Sequence, residues 1–210
     1  MNLTINETLL SARKAYRFLF EYQSKILKLV SYIGSKYGID YSGGYPHFSN
    51  MIKRNTSAYL DCWAWDWLNM YFYEFNFYNQ NDKLNFSIFH MPDSGYFDST
   101  EDPKYYYEKK LQVNEFKSIE ESESKLIFVI GKNFWVEDCT EWGGEWNYKA
   151  FNTLPFGKLS NDNGGVLVFK QYPLVNFSDE GSILACMQDF QKFSHHNGIS
   201  LEIQEKFFKK

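Results

Sequence analysis

The sequence predicts an α+β fold, a mainly antiparallel or mixed sheet packed by a long N-terminal helix and a second C-terminal helix. Three features predict it. Helical periodicity runs through the first 37 residues, alternating strand-like runs fill the middle, and a second apolar helical stripe lies near the C-terminus. Strands and helices do not alternate regularly, so no parallel βαβ architecture is expected.

The first helix is expected over residues 6–37. Thr4 and Glu7 stand three apart, as a capping box requires, with Asn6 as an alternative N-cap. Leu9, Ala12, Tyr16, Leu19, Gln23, Ile26, Val30, Ile33 and Tyr37 recur in steps of three and four, and Gly38 supplies the residue past the C-terminus. Phe20, Tyr22, Leu27 and Leu29 flank that stripe and make it too wide for a two-helix seam. A helix laid across a sheet and buried along a broad face is the expectation.

Residues 39–57 turn polar around Gly43, Gly44 and Pro46 and read as a loop. A strand over residues 67–78, a turn at 79–82 and an alternating partner over 84–91 form a hairpin. The acidic stretch from Pro92 to Lys104 reads as a surface loop, and a further strand is expected around residues 111–117. Leu126–Ile130 is a continuous apolar run and reads as a central strand buried on both faces. Residues 134–139 and 166–172 are further strands, and residues 140–147 a hairpin about Gly143-Gly144. Ser178 is the expected N-cap of the second helix, whose stripe is Ile183, Leu184, Met187, Phe190 and Phe193, and Gly198 ends it. Residues 199–203 alternate as a last edge strand.

At 210 residues one domain spanning 1–210 is expected, large enough to bury a core without staples. Aromatics reach 20%, so a few rings per layer can fill that core. The formal charge is −4, the three arginines are Arg13, Arg17 and Arg54, and no clustered basic stripe appears. Nucleic acid is therefore not the expected partner. Cys62, Cys139 and Cys186 are odd in number and dispersed, which predicts neither disulfide nor structural zinc and fits a reducing compartment. The first residues show no secretory pattern and no run has membrane-spanning length, so a cytoplasmic protein without a membrane partner is expected. The excess of Phe, Tyr, Ile, Asn and Lys is what an AT-rich coding region gives, as in many bacteria and their mobile elements.

No phosphate-binding glycine loop or nucleophile-elbow motif occurs, and the glycine pairs at 43–44, 143–144 and 164–165 sit where turns are wanted. His195 and His196 complement a helix C-terminus and make a poor chelate, so no metal ligand set is assigned. His90 lies late in a strand, within reach of Asp93, and His47 falls in a loop. Pro92-Asp93 followed by Glu115-Phe116-Lys117 resembles the P-D…(D/E)-x-K pattern of restriction-endonuclease-like nucleases. Glu108-Lys109-Lys110 and Glu123-Ser124-Lys125 also match the second half. The resemblance implies Asp93 and Glu115 holding Mg²⁺, with Lys117 helping to activate water, in a helix–strand–strand–strand core. Hard carboxylate oxygens suit that ion, which stabilises charge on a phosphate.

The segment from Glu137 to Trp146 concentrates four acids and two tryptophans. In a hairpin, Glu141 and Trp146 share one face and Trp142 and Glu145 the other. An exposed tryptophan beside carboxylates suits a protein partner, or a sugar or cation, whereas a buried one is merely core. For Trp63, Trp65 and Trp67 core packing is the stronger reading. The expected function is a non-enzymatic protein-interaction module that needs no cofactor and binds another protein through Glu141, Trp142, Glu145 and Trp146. The alternatives are a Mg²⁺-dependent nuclease or phosphodiesterase using Asp93, Glu115 and Lys117, and a small-molecule or sugar binder with an aromatic pocket.

Overall fold

The computed structural model describes residues 4–46, 72–79, 84–95, 116–134 and 154–204. Their fold is α+β. Helix α1 (Ile5–Tyr37) is followed by strands β1 (Asp40–Pro46), β2 (Tyr73–Asn79), β3 (Leu84–Met91), β4 (Lys125–Lys132), β5 (Phe156–Ser160) and β6 (Val166–Pro173), then helix α2 (Glu180–His196). The strands form one sheet in the order β1-β2-β3-β4-β6-β5, and every neighbouring pair is antiparallel.

Helix α1 begins and ends as its sequence dictates. The Thr4 backbone N–H donates to Glu7 Oε2 at 2.8 Å, and Glu7 N–H donates back to Thr4 Oγ1 at 3.4 Å. At the other end Gly38 takes a left-handed φ of 66°, with Gly38 N–H donating to Ser35 O and Ile39 N–H to Gly34 O. This is a Schellman motif.

The expected hairpin forms, with Tyr73 opposite His90 and Asn79 opposite Leu84. Residues 67–71 of its first strand lie outside the described residues. β4 is the buried central strand, and Leu126 to Ile130 are each 0% exposed. Its side chains are buried on both faces of the sheet, which is why it reads as continuous rather than alternating. Phe75, Phe77, Phe86, Ile88, Leu126, Phe128, Ile130 and Val168 face both helices. Phe89, Ile127, Val129, Leu167 and Phe169 point the other way and are equally buried, although neither helix lies on that face.

Four expectations are corrected. Asp40–Pro46 is an edge strand and not loop, because a β-bulge falls between Tyr41 and Gly43, Gly43 takes a φ of 138°, and Gly44 passes close to the Glu74 carbonyl. Phe116 to Ser118 take no strand conformation; residues 111–115 are outside the described set. The N-cap of α2 is Asp179, whose carboxylate accepts from Ser182 N–H at 2.9 Å, while Ser178 only supports it through a 3.1 Å bond. Residues 199–203 form no strand and join none among the described residues. The N–H groups of Leu201, Ile203 and Gln204 donate instead to His195 Nε2, Gln191 Oε1 and Lys36 O, which ties the tail to both helices. β5 was not anticipated. Of the strand expected at 134–139, Phe134 takes no strand conformation and the rest lies outside the described residues, as does the Gly143-Gly144 hairpin.

Helix α1 crosses β2 at Gly34, where a β-carbon would overlap the Phe77 ring. Gly34→Ala should therefore destabilise the protein by roughly 1–3 kcal/mol in urea unfolding, although alanine is the better helix former by about 1 kcal/mol. A stabilised variant would mean that helix and sheet do not approach this closely.

Candidate functional site

Burial divides α1 into two halves. Ile26, Val30, Ile33 and Tyr37 enter the core at the C-terminal end. From Ile5 to Phe20, about 24 Å of helix at 1.5 Å per residue, every side chain is exposed except Leu19, which is half-buried. The expectation of a helix buried along its whole length is corrected accordingly.

The free half is not polar. Tyr16, Phe18 and Phe20 are 71%, 68% and 77% exposed, and Ile5, Leu9 and Leu10 are exposed with them. At 100° per residue Ile5, Leu9, Tyr16, Phe20 and Leu27 fall within an arc of about 60°. Arg13, Arg17 and Lys28 follow on the next part of the circumference, and none of them has an ion-pair partner among the described residues. Six basic and two acidic residues give α1 a formal charge of +4; the whole chain carries −4, which leaves −8 for the remainder. An apolar arc edged by unpaired cations is therefore set against an acidic body.

A buried polar pair lies where α1 meets the sheet. His90 is 2% exposed, and its Nε2 is hydrogen-bonded to the Tyr22 hydroxyl at 2.8 Å. Its Nδ1 is buried with no partner among the described residues. Burial lowers the His90 pKa to about 4 and raises that of Tyr22 to about 12, a hydrogen bond with Ser124 opposing the latter.

Asp93 does not meet His90. Its Oδ1 accepts from Gly95 N–H at 2.8 Å, closing the turn after β3. Lys117 is exposed on an irregular segment whose N–H donates to Gly95 O, so its backbone runs beside the Asp93 turn; Glu115 is outside the described residues. The other triplet, Glu123-Ser124-Lys125, is bound to this turn more closely. Ser94 N–H donates to Glu123 O, Glu123 N–H to Ser94 Oγ at 3.1 Å, and Ser124 Oγ to Pro92 O at 2.6 Å. Lys125 pairs with Glu123 at 3.0 Å. Among the described residues no group of three or more His, Cys, Asp or Glu gathers to hold a metal ion. Glu141, Trp142, Glu145, Trp146, Cys62, Cys139, His47, Trp63, Trp65 and Trp67 all lie outside the described residues. Cys186 is buried with a free thiol. His195 holds the tail: its Nε2 lies 3.0 Å from Leu201 O and 3.1 Å from Glu202 Oε1.

Sequence reasoning missed the free half of α1 as a surface, although a signal was there. Two of the three arginines sit on it, and Phe18 and Phe20 stand outside the seam that reaches the core.

Fold and surface together define an α+β domain that carries a basic, aromatic helix beyond its own core. The family model described as PM0109 matches residues 3–199, and the chain belongs to that family. No curated protein and no solved structure matches the chain. Among the described residues no helix is long and apolar enough to cross a membrane.

His90 sets a pH dependence. Its folded pKa, near 4, lies below the ordinary 6.5, so the unfolded chain binds more protons between those values and stability falls as pH falls through them. The loss between pH 6.5 and 4 should be about 3 kcal/mol, measured as the wild-type change minus that of His90→Leu. Parallel curves for the two proteins would show that the ring is hydrated.

Proposed function

We propose that the chain is a cytoplasmic protein-interaction module, of a bacterial or mobile-element system, that presents the free half of α1 to an acidic protein partner. The observation that carries this reading is the exposed apolar arc of Ile5, Leu9, Tyr16 and Phe20 beside unpaired Arg13 and Arg17. An amphipathic helix of this kind suits an apolar groove, into which each buried ring contributes about 1.5–3 kcal/mol. Carboxylates on the rim of such a groove would meet the arginines and speed association. A second α1 is a poor occupant, since two helices of like charge repel along their length. The acidic tryptophan segment with Glu141, Trp142, Glu145 and Trp146, outside the described residues, is the second segment proposed to bind a partner.

Immobilised wild-type protein should capture a partner from native lysate that Tyr16→Ser/Phe20→Ser and Arg13→Glu/Arg17→Glu bind tens-fold more weakly. Both variants should keep the wild-type thermal midpoint, and capture should weaken with salt. A partner retained by both but lost with Trp142→Ala would transfer the function to the tryptophan segment.

One observation favours a second reading, a Mg²⁺-dependent nuclease or phosphodiesterase. The turn carrying Asp93 and an E-x-K triplet are joined by backbone hydrogen bonds at the ends of β3 and β4. Asp93 and Glu123 offer hard oxygens of the type Mg²⁺ takes, which it supplements with water and substrate phosphate. Asp93→Ala and Glu123→Ala should then abolish Mg²⁺-dependent cleavage of plasmid DNA, while Tyr16→Ser/Phe20→Ser retains it. Uncleaved plasmid with wild-type protein removes this reading.

A further inference from the structure

Beside the anchored half of α1, that helix and the edge strands β1 and β2 line a cleft of about 440 Å³. That size lies within the range of small-molecule sites, about 300–1,000 Å³. Val30, Phe75 and Phe77 form its floor, all buried. Leu27 and Tyr41 stand as walls and are 47% and 57% exposed, so much of their apolar surface is turned to solvent. The Tyr41 ring is held edge-on to Phe77, with centroids 5.6 Å apart and planes at 66°. The β1 bulge places Tyr41 directly across from Phe77, so this wall is set by strand register.

The rim is polar and lopsided. Ser31 contributes a hydroxyl, and Asp40 is the only charged residue among the described ones that line the cleft. Its carboxylate is exposed and has no ion-pair or hydrogen-bond partner among the described residues. The site thus offers a buried apolar floor, an exposed tyrosine ring as one wall and one negative charge without a partner among the described residues. A ring fits the floor, a cation is attracted both to the tyrosine face and to the carboxylate, and an anion is repelled.

We infer that this cleft binds a small aromatic amine in its ammonium form. The inference is independent of the partner surface on α1. Phenethylamine, 2-phenylethanol and 3-phenylpropionate, a cation, a neutral molecule and an anion of similar shape, are the probes. Each is titrated at pH 7 into isotopically labelled full-length protein, and chemical shifts are followed. Shifts should cluster at residues 27–31 and 39–41 and on the Phe77 ring. The amine should bind about two- to fivefold more tightly than the alcohol, as one exposed ion pair provides, and the acid most weakly. Asp40→Asn, at an exposed position, should equalise amine and alcohol, and Ser31→Phe should fill the cleft and abolish all three responses. Equal affinities in the wild type, a preference that survives Asp40→Asn, or shifts that are absent or lie elsewhere would each overturn the assignment.

Discussion

The ring of Phe128 lies nearly perpendicular to Phe86 of the neighbouring strand and to Phe190 of α2, at centroid distances of 5.8 and 5.4 Å. Tyr172 and Phe177 pack against the same ring. Through Phe86 the cluster reaches Tyr37, the last residue of α1, whose hydroxyl donates to Met187 O of α2 at 2.9 Å. One aromatic assembly therefore joins both central strands to both helices. Edge-on rings are favourable in themselves and constrain angles as well as distances, so this contact fixes how the two helices lie on the sheet. The polar tips of its tyrosines are satisfied as a buried hydroxyl requires: Tyr172 donates to Asp189, which also receives Lys170.

That anchorage has an unequal effect along α1. Its last three turns are held by the core, whereas the first half must be stable as a helix largely by local means. The capping box at Thr4 and Glu7 supplies one end and continuity with the anchored half supplies the other, so helix nucleation is already accomplished where the core grips it. A preformed helix would cost the proposed partner little ordering entropy on binding, which is the physical advantage of presenting a helix and not a disordered segment.

Much of the fold was legible because it rests on local patterns. The expected start of α1 at Asn6 differs by one residue from the observed Ile5, and its stop at Tyr37 follows from Gly38. The hairpin, β4 and β6 follow from alternation and apolar runs. What failed was decided by long-range contacts. Gly43-Gly44 looks like a turn, yet its glycines serve a bulge and a close approach to β2. Residues 199–203 alternate like a strand, but α2 takes the N–H groups of Ile199, Leu201 and Ile203, and a carbonyl of α1 that of the next residue, Gln204. For the candidate sites, periodicity shows that α1 has a wide apolar arc without showing how far the sheet extends beneath it. The cleft was invisible because its walls, Leu27 and Tyr41, come together only through the bulged register.

An exposed apolar arc is normally a hazard, since it invites association of identical chains. Here the cations beside it act on both outcomes. Arg13, Lys14, Arg17, Lys25, Lys28 and Lys36 outweigh Glu7 and Glu21, so α1 carries a net positive charge and two copies of it repel each other. The same charges lower the energy of an approach by an acidic surface, over a range of about 8 Å at physiological ionic strength. In the proposed interaction, selectivity on α1 would come from a repulsive element and an attractive one carried by the same side chains. The apolar residues would set how tightly a docked partner is held, and the basic ones which partner reaches them.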